Sequence, residues 1–263
     1  MSDRRQRQKE QRAAKREAER KQESRRALFR SIGTALVFGL VVVAIFAFGG
    51  LFGGESSDVP GSYEDYREQE TACGATQPPP EEIMSFEAPE EQTDITDEST
   101  VTATLVTSCG EIVMDLNNAE APETVNSFAF LARQGFYDGQ VIFRVSENFV
   151  FQGGDPEADG TGGPGYIIAD EFPEDEDFLY EPGVVAMANR GPRSTGSQFW
   201  VVTGDDGQFL TNSFNVLGWV TSGQQAIDQI MDVPTATAPG SNEQSRPLET
   251  VYIESITIDV ADS

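Results

Sequence analysis

Two stretches concentrate the groups in this chain that could do chemistry: Ile142 to Asp155, IFRVSENFVFQGGD, and Met187 to Trp200, MANRGPRSTGSQFW. They bring Arg144, Gln152, Asn189 and Gln198 together with Phe149, Val150 and Trp200, and glycines mark the places where the backbone must turn tightly. A guanidinium, amides and aromatic surface can grip a peptide through hydrogen bonds and apolar contact without attacking it. The chain has no histidine, which removes Ser-His-Asp and Cys-His catalysis together with the commonest general base. Carboxylates abound, but they are scattered over an acidic chain and do not specify a glycosidase pair. The GTGGPG run, Gly160 to Gly165, lacks the P-loop lysine and does not open a predicted helix, so it is a weak phosphate loop. Two cysteines without histidine make a poor zinc site, so neither a metal nor another cofactor is expected.

The spacing of Phe143-Arg144-Val145, Phe149, Gln152 and the following GGD resembles a signature block of the cyclophilin family of peptidyl-prolyl isomerases. Met187-Ala188-Asn189, Gly191-Pro192 and Gly196-Ser197-Gln198-Phe199 resemble the other block. APETVNSFAFLARQGFYDG and RPLETVYIESI extend the likeness over nearly all of Val101 to Ile258. The resemblance implies that Arg144 bonds the proline carbonyl and opposes amide resonance, while Gln152 binds the carbonyl and orients the arginine. It also implies a peptide groove lined by Ala188, Asn189 and Gln198, and a proline pocket walled by Phe149, Val150, Trp200, Phe209 and Leu210, with Phe214 at its rim. Phe151 and Phe199 fall on the opposite strand parity and are assigned to the core. Some positions depart from the family pattern: Phe143 stands where many members have histidine, and Phe209 where many eukaryotic members have tryptophan. These departures bear on substrate preference and leave the arginine in place. A non-catalytic proline-peptide-binding or chaperone module and a structural envelope protein are the competing readings; retention of Arg144 and Gln152 argues against the first, and the full pocket set would be superfluous for the second.

The elements that must position these residues are mostly short strands. VTATLVTSCGEIVMDL reads as a hairpin turning at Ser108-Cys109-Gly110, APETVNSFAFLARQGF as a helix opening at Pro122, GQQAIDQIMD as a second short helix, and TVYIESITIDV as a closing strand. With ample Gly/Pro turns, this pattern predicts a mostly β domain over 99–263, a closed antiparallel β-barrel capped by two helices, with a sandwich as the alternative from periodicity alone. No internal repeat is evident, and a single monomeric domain is expected.

The charge pattern predicts the rest of the organisation. Residues 1–30 carry twelve Lys/Arg against five acids, a net +7, whereas the remainder carries −33. Between the two regimes, Ser31 to Phe52 contains no charged residue and is long enough to span a bilayer. The cationic flank places the N-terminus in the cytoplasm and the rest of the chain outside, as an uncleaved signal anchor at the cell membrane. A cleaved signal peptide fits less well, because the run is long and no A-x-A exit follows it. The basic segment suits anionic lipid headgroups better than nucleic acid. Residues 53–98, acidic and proline-bearing, read as an extended, disordered linker. Cys73 and Cys109 would then lie in an oxidising compartment, where a disulfide is expected, the alternative being two unpaired small residues. The expected partners are proline-containing segments of exported or unfolded proteins, and the membrane through residues 31–52.

Overall fold

The computed structural model describes residues 59–77, 83–96 and 98–261. The basic segment 1–30 and the charge-free run 31–52 lie outside these, and among the described residues no helix is long and apolar enough to cross a membrane.

The described residues form ten strands: β1 (Thr100–Thr107), β2 (Gly110–Leu116), β3 (Arg144–Ser146), β4 (Val150–Gly153), β5 (Val184–Met187), β6 (Phe199–Val202), β7 (Val216–Ser222), β8 (Thr235–Thr237), β9 (Gln244–Pro247) and β10 (Ile253–Ala261). Eight of them make one sheet in the order β10-β1-β2-β7-β5-β6-β4-β3, with antiparallel pairing throughout, while β8 and β9 form a separate hairpin. The first hairpin forms where the alternation predicted it. Ala103 pairs with Met114 and Leu105 with Ile112, all four fully buried, while Thr102 and Thr104 between them keep some exposure. The period of two thus assigns one face of the ribbon to the core, and a one-residue slip would expose it. The sheet curls until the segments leading into its two end strands meet. Val141 bridges Tyr252, the Ile142 N–H donates to Val251 O at 2.8 Å, and the Ile253 N–H donates to Gln140 O at 2.8 Å.

Among the described residues three α-helices accompany the sheet: α1 (Tyr63–Glu68), α2 (Pro122–Arg133) and α3 (Gln224–Met231). α2 opens on a proline, whose missing N–H costs nothing in the first turn. Ala121 before it offers no side-chain cap. The Glu171 carboxylate supplies one from a distant loop, accepting from the Glu123 and Thr124 N–H groups at 3.0 and 2.8 Å. A carboxylate there satisfies orphan donors and opposes the positive end of the helix. Val125, Phe128 and Leu131 of α2 and Ile227 and Ile230 of α3 complete the main core.

The segment expected to be a disordered linker is ordered at residues 59–77 and 83–96 and packs on the domain. α1 is held by a Ser62/Asp65 capping box, and its Tyr66 is fully buried with the hydroxyl donating to Phe143 O at 2.9 Å. Cys73 is disulfide-bonded to Cys109 in the β1–β2 turn. Further along, Phe86 meets Phe130 edge-on at 5.0 Å, and Arg133 pairs with Asp94 at 2.6 Å. Average composition hid this, because Tyr66 and Phe86 follow no local period. Each finds a site already built by the distant domain surface.

Candidate active site

Strand pairing sorts the signature residues onto two faces. Arg144 of β3 stands opposite Gln152 of β4, Gln152 opposite Trp200 of β6, and Trp200 opposite Ala186 of β5. The adjacent row, Val145, Phe151, Val201 and Val185, points the other way into the main core. Phe151 and Phe199 lie in that core and are fully buried, as their parity predicted. The candidate site is therefore built on the outer face of the curled sheet. Gly154 makes its turn possible, with φ at +84° and a position where a Cβ would fall 2.5 Å from Ser197 O.

A directional chain of hydrogen bonds crosses the site. Arg144 Nη1 donates to Gln152 Oε1 at 3.1 Å, Gln152 Nε2 to Gln198 Oε1 at 3.0 Å, and Gln198 Nε2 to Gly162 O at 2.9 Å and Asp155 Oδ2 at 3.3 Å. Because a guanidinium can only donate, it sets the orientation of both amides. At the far end, burial raises the Asp155 carboxyl above its usual range, although the Glu157 and Gly160 N–H groups oppose the shift. At the near end, Arg144 Nε and Nη2 donate to the two oxygens of Glu243, at 3.0 and 2.6 Å. Burial raises the Glu243 carboxyl, but Arg144 and the Ser245 and Ser146 hydroxyls outweigh it and hold it below the usual range. The Arg144 guanidinium also sits over the Phe149 ring, 5.3 Å from its centroid.

Beside the chain lies an apolar cluster of Val150, Tyr180, Val184, Ala186, Trp200, Val202 and Val216, with Phe149, Phe178, Ala188, Leu210 and Phe214 packed partly buried against it. Trp200 meets Phe214 edge-on at 5.4 Å and Tyr180 at 5.5 Å. The Tyr180 hydroxyl donates to Phe214 O at 2.9 Å and accepts from the Phe214 N–H at 3.1 Å, which pins the rim. Burial pushes that hydroxyl up to about 12, so it stays a neutral donor at working pH. Asn189 donates to Ser213 O and accepts from the Gly191 N–H, so its side chain shapes a loop. The amides on either side, of Ala188 and Arg190, are taken by Gln198 O and Ser194 Oγ. Phe209 ends a short 3₁₀ turn and is 79% exposed, standing clear of the cluster that its neighbour Leu210 joins. No group here is a free nucleophile. The arrangement offers guanidinium donors beside an apolar surface and fits an amide whose carbonyl must be held while its ring is buried.

The family model described as cyclophilin type peptidyl-prolyl cis-trans isomerase/CLD matches residues 102–258. The chain belongs to this family. A probable peptidyl-prolyl cis-trans isomerase B of Mycobacterium leprae is 39% identical over 178 residues, which cover 62% of this chain and 59% of that protein. The chain thus spans less than two thirds of that relative's length. Peptidyl-prolyl cis-trans isomerase B of Streptomyces anulatus is 38% identical over 174 residues, covering 60% of this chain and 95% of that protein. A cyclophilin of Cryptosporidium parvum superposes with a TM-score of 0.54 at 23% identity, over 61% of this chain and 98% of that one, a likeness of fold. The enzyme class of the family is peptidyl-prolyl cis-trans isomerase.

Within the cyclophilin domain, sequence reasoning missed Glu243, Ser146, Ser245 and Tyr180. Glu243 sits among other polar residues in SNEQSRP and carries no local signal. Tyr180 lies in an acidic loop, between Phe178 and Glu181, and only its burial identifies it.

Proposed function

We propose that the domain rotates X-Pro bonds in exported proteins by binding the twisted amide more tightly than either planar form. The observation that carries this is Arg144 beside the apolar cluster. Isomerisation faces a barrier of about 18–20 kcal/mol set by amide resonance, and no covalent step is needed to lower it. The proline ring would lie against Val150, Trp200, Leu210, Phe149 and Phe214, with exposed Phe209 at the mouth. Arg144 and Gln152 would hold the carbonyl, and the N–H of Asn189, beside Ala188 and Gln198, would hold the peptide chain. Each tenfold acceleration needs about 1.4 kcal/mol of preferential binding to the twisted amide.

The charge asymmetry around residues 31–52 supports a single-pass anchor with the domain outside the cytoplasm, and the Cys73–Cys109 bridge suits an oxidising compartment. The meeting of the segments that lead into the sheet's end strands supports a closed barrel, and the domain would act as a monomer. The test uses the full chain solubilised in detergent and a protease-coupled assay of an Ala-Pro tetrapeptide, where catalysis is expected and no turnover would refute it. In intact cells, added protease should digest the domain while an N-terminal tag stays protected. A protected domain would reverse the orientation.

A further inference from the structure

We infer that Glu243 is a positioning residue for the isomerase reaction, clamping Arg144 so that two of its N–H groups face the peptide. This rests on Arg144 being the catalytic arginine. Each Glu243 oxygen accepts two hydrogen bonds. Oε1 takes Arg144 Nη2 at 2.6 Å and Ser146 Oγ at 3.1 Å; Oε2 takes Arg144 Nε at 3.0 Å and Ser245 Oγ at 3.0 Å. A carboxylate has about four lone-pair sites, so Glu243 is saturated within the protein and has no capacity left to bind substrate. A guanidinium has five N–H groups. Glu243 takes two and Gln152 one, which leaves one N–H on Nη1 and one on Nη2. With its edge held by Glu243, its end by Gln152 and its face by Phe149, the guanidinium has lost the freedom to swing away.

An ordinary surface ion pair would not be built this way. The two side chains retain 26% and 35% exposure, and pairs in such settings contribute little to stability. The two serines come from different elements, Ser146 from β3 and Ser245 from β9, so the carboxylate also ties the β8–β9 hairpin to β3. A bidentate carboxylate adds geometric constraint to energy, and pre-ordering a catalytic group lowers the barrier without tightening ground-state binding.

The test measures turnover and peptide binding separately, by exchange NMR with the Ala-Pro tetrapeptide, for full-length wild type, Glu243→Ala, Arg144→Ala and the double variant. Glu243→Ala is expected to slow isomerisation about tenfold, with peptide affinity within about twofold and little change in melting temperature. Glu243→Gln, which keeps the shape and loses the charge, should fall between it and wild type. In the Arg144→Ala background, Glu243→Ala should add nothing, because no guanidinium remains to orient. Turnover of Glu243→Ala within twofold of wild type overturns the inference, as does an equal loss in both backgrounds, which would mark a merely structural role. A rise in turnover also overturns it and makes Glu243 a competitor for the arginine. Near-normal turnover of Arg144→Ala overturns the catalytic reading itself, and the inference with it.

Discussion

Arg144 and Arg246 lie on either side of the β3–β9 junction, and each stacks on a phenylalanine, at 5.3 Å on Phe149 and 5.7 Å on Phe143. Their surroundings differ in kind. Arg246 is buried, and its Nη1 donates inward to Ala158 O at 2.8 Å, Phe143 O at 3.3 Å and the Tyr66 hydroxyl at 3.4 Å. Arg144 is held by side chains along one edge and at one end, and keeps two donors open beside an apolar surface. Arg246 ties together α1, the residue before β3 and the loop at Ala158, whereas Arg144 is tied so that it can act. What separates a structural arginine from a catalytic one here is which donors are left over.

Arg144→Ala should break the comparison most severely. It is expected to lower kcat/KM at least about 100-fold, a loss of roughly 3 kcal/mol, in the protease-coupled assay. Arg144→Lys should fail to restore turnover, because an ammonium cannot be gripped along an edge and still present paired donors. Removing the Cys73–Cys109 bridge probes the opposite side, where α1 and the following residues are tied to the β1–β2 turn. With a sequence separation of 36, its loss should destabilise the fold by roughly 3–4 kcal/mol while turnover of the folded protein holds within about twofold. Chemical denaturation of the double Cys→Ala variant, alongside an activity assay in water, reads both quantities; a large loss of turnover would make the segment part of the site. Arg246→Met should cost about 2 kcal/mol, since it strands the carbonyl of Ala158 and removes a donor from Phe143 O and the Tyr66 hydroxyl, and the melting temperature should fall accordingly. Turnover should fall far less than in Arg144→Ala, and an equal drop would erase the distinction between the two arginines.

The smallest expected effect is that of pH. With no histidine in the chain, kcat/KM should be nearly flat from pH 6 to 8. The Glu243 carboxyl lies below its usual range in the folded protein. Its stabilising contribution is therefore complete above the unfolded value and lost as pH falls through the lower folded one, on the acid side of the ordinary glutamate range. A profile with a midpoint near neutrality would mean that another group governs Arg144.

Much of the domain was legible because its signals are local. The alternation in VTATLVTSCGEIVMDL and TVYIESITIDV dictated β1, β2 and β10, and the proline at Pro122 marked the start of α2. Arg144, Gln152, Val150 and Trp200 could be singled out because strand parity and motif spacing travel with the chain. The ordered segment around Tyr66 was not legible, since an acidic average concealed a few anchors that bind a surface made elsewhere. Glu243 was not legible either, since it lies 99 residues from Arg144 in sequence.

By itself the sequence determined the charge asymmetry, the strand periods, the absence of histidine and the motif residues, all of which depend on residue type and short-range spacing. Only the tertiary structure decided that Arg144, Gln152, Trp200 and Ala186 form one row on the outer face, that Phe209 stands in solvent, and that Glu243 closes the clamp. Those outcomes depend on register and on contacts between distant segments. Hydrogen bonds and apolar packing are satisfied through space, and local composition does not reveal which distant partner will satisfy them.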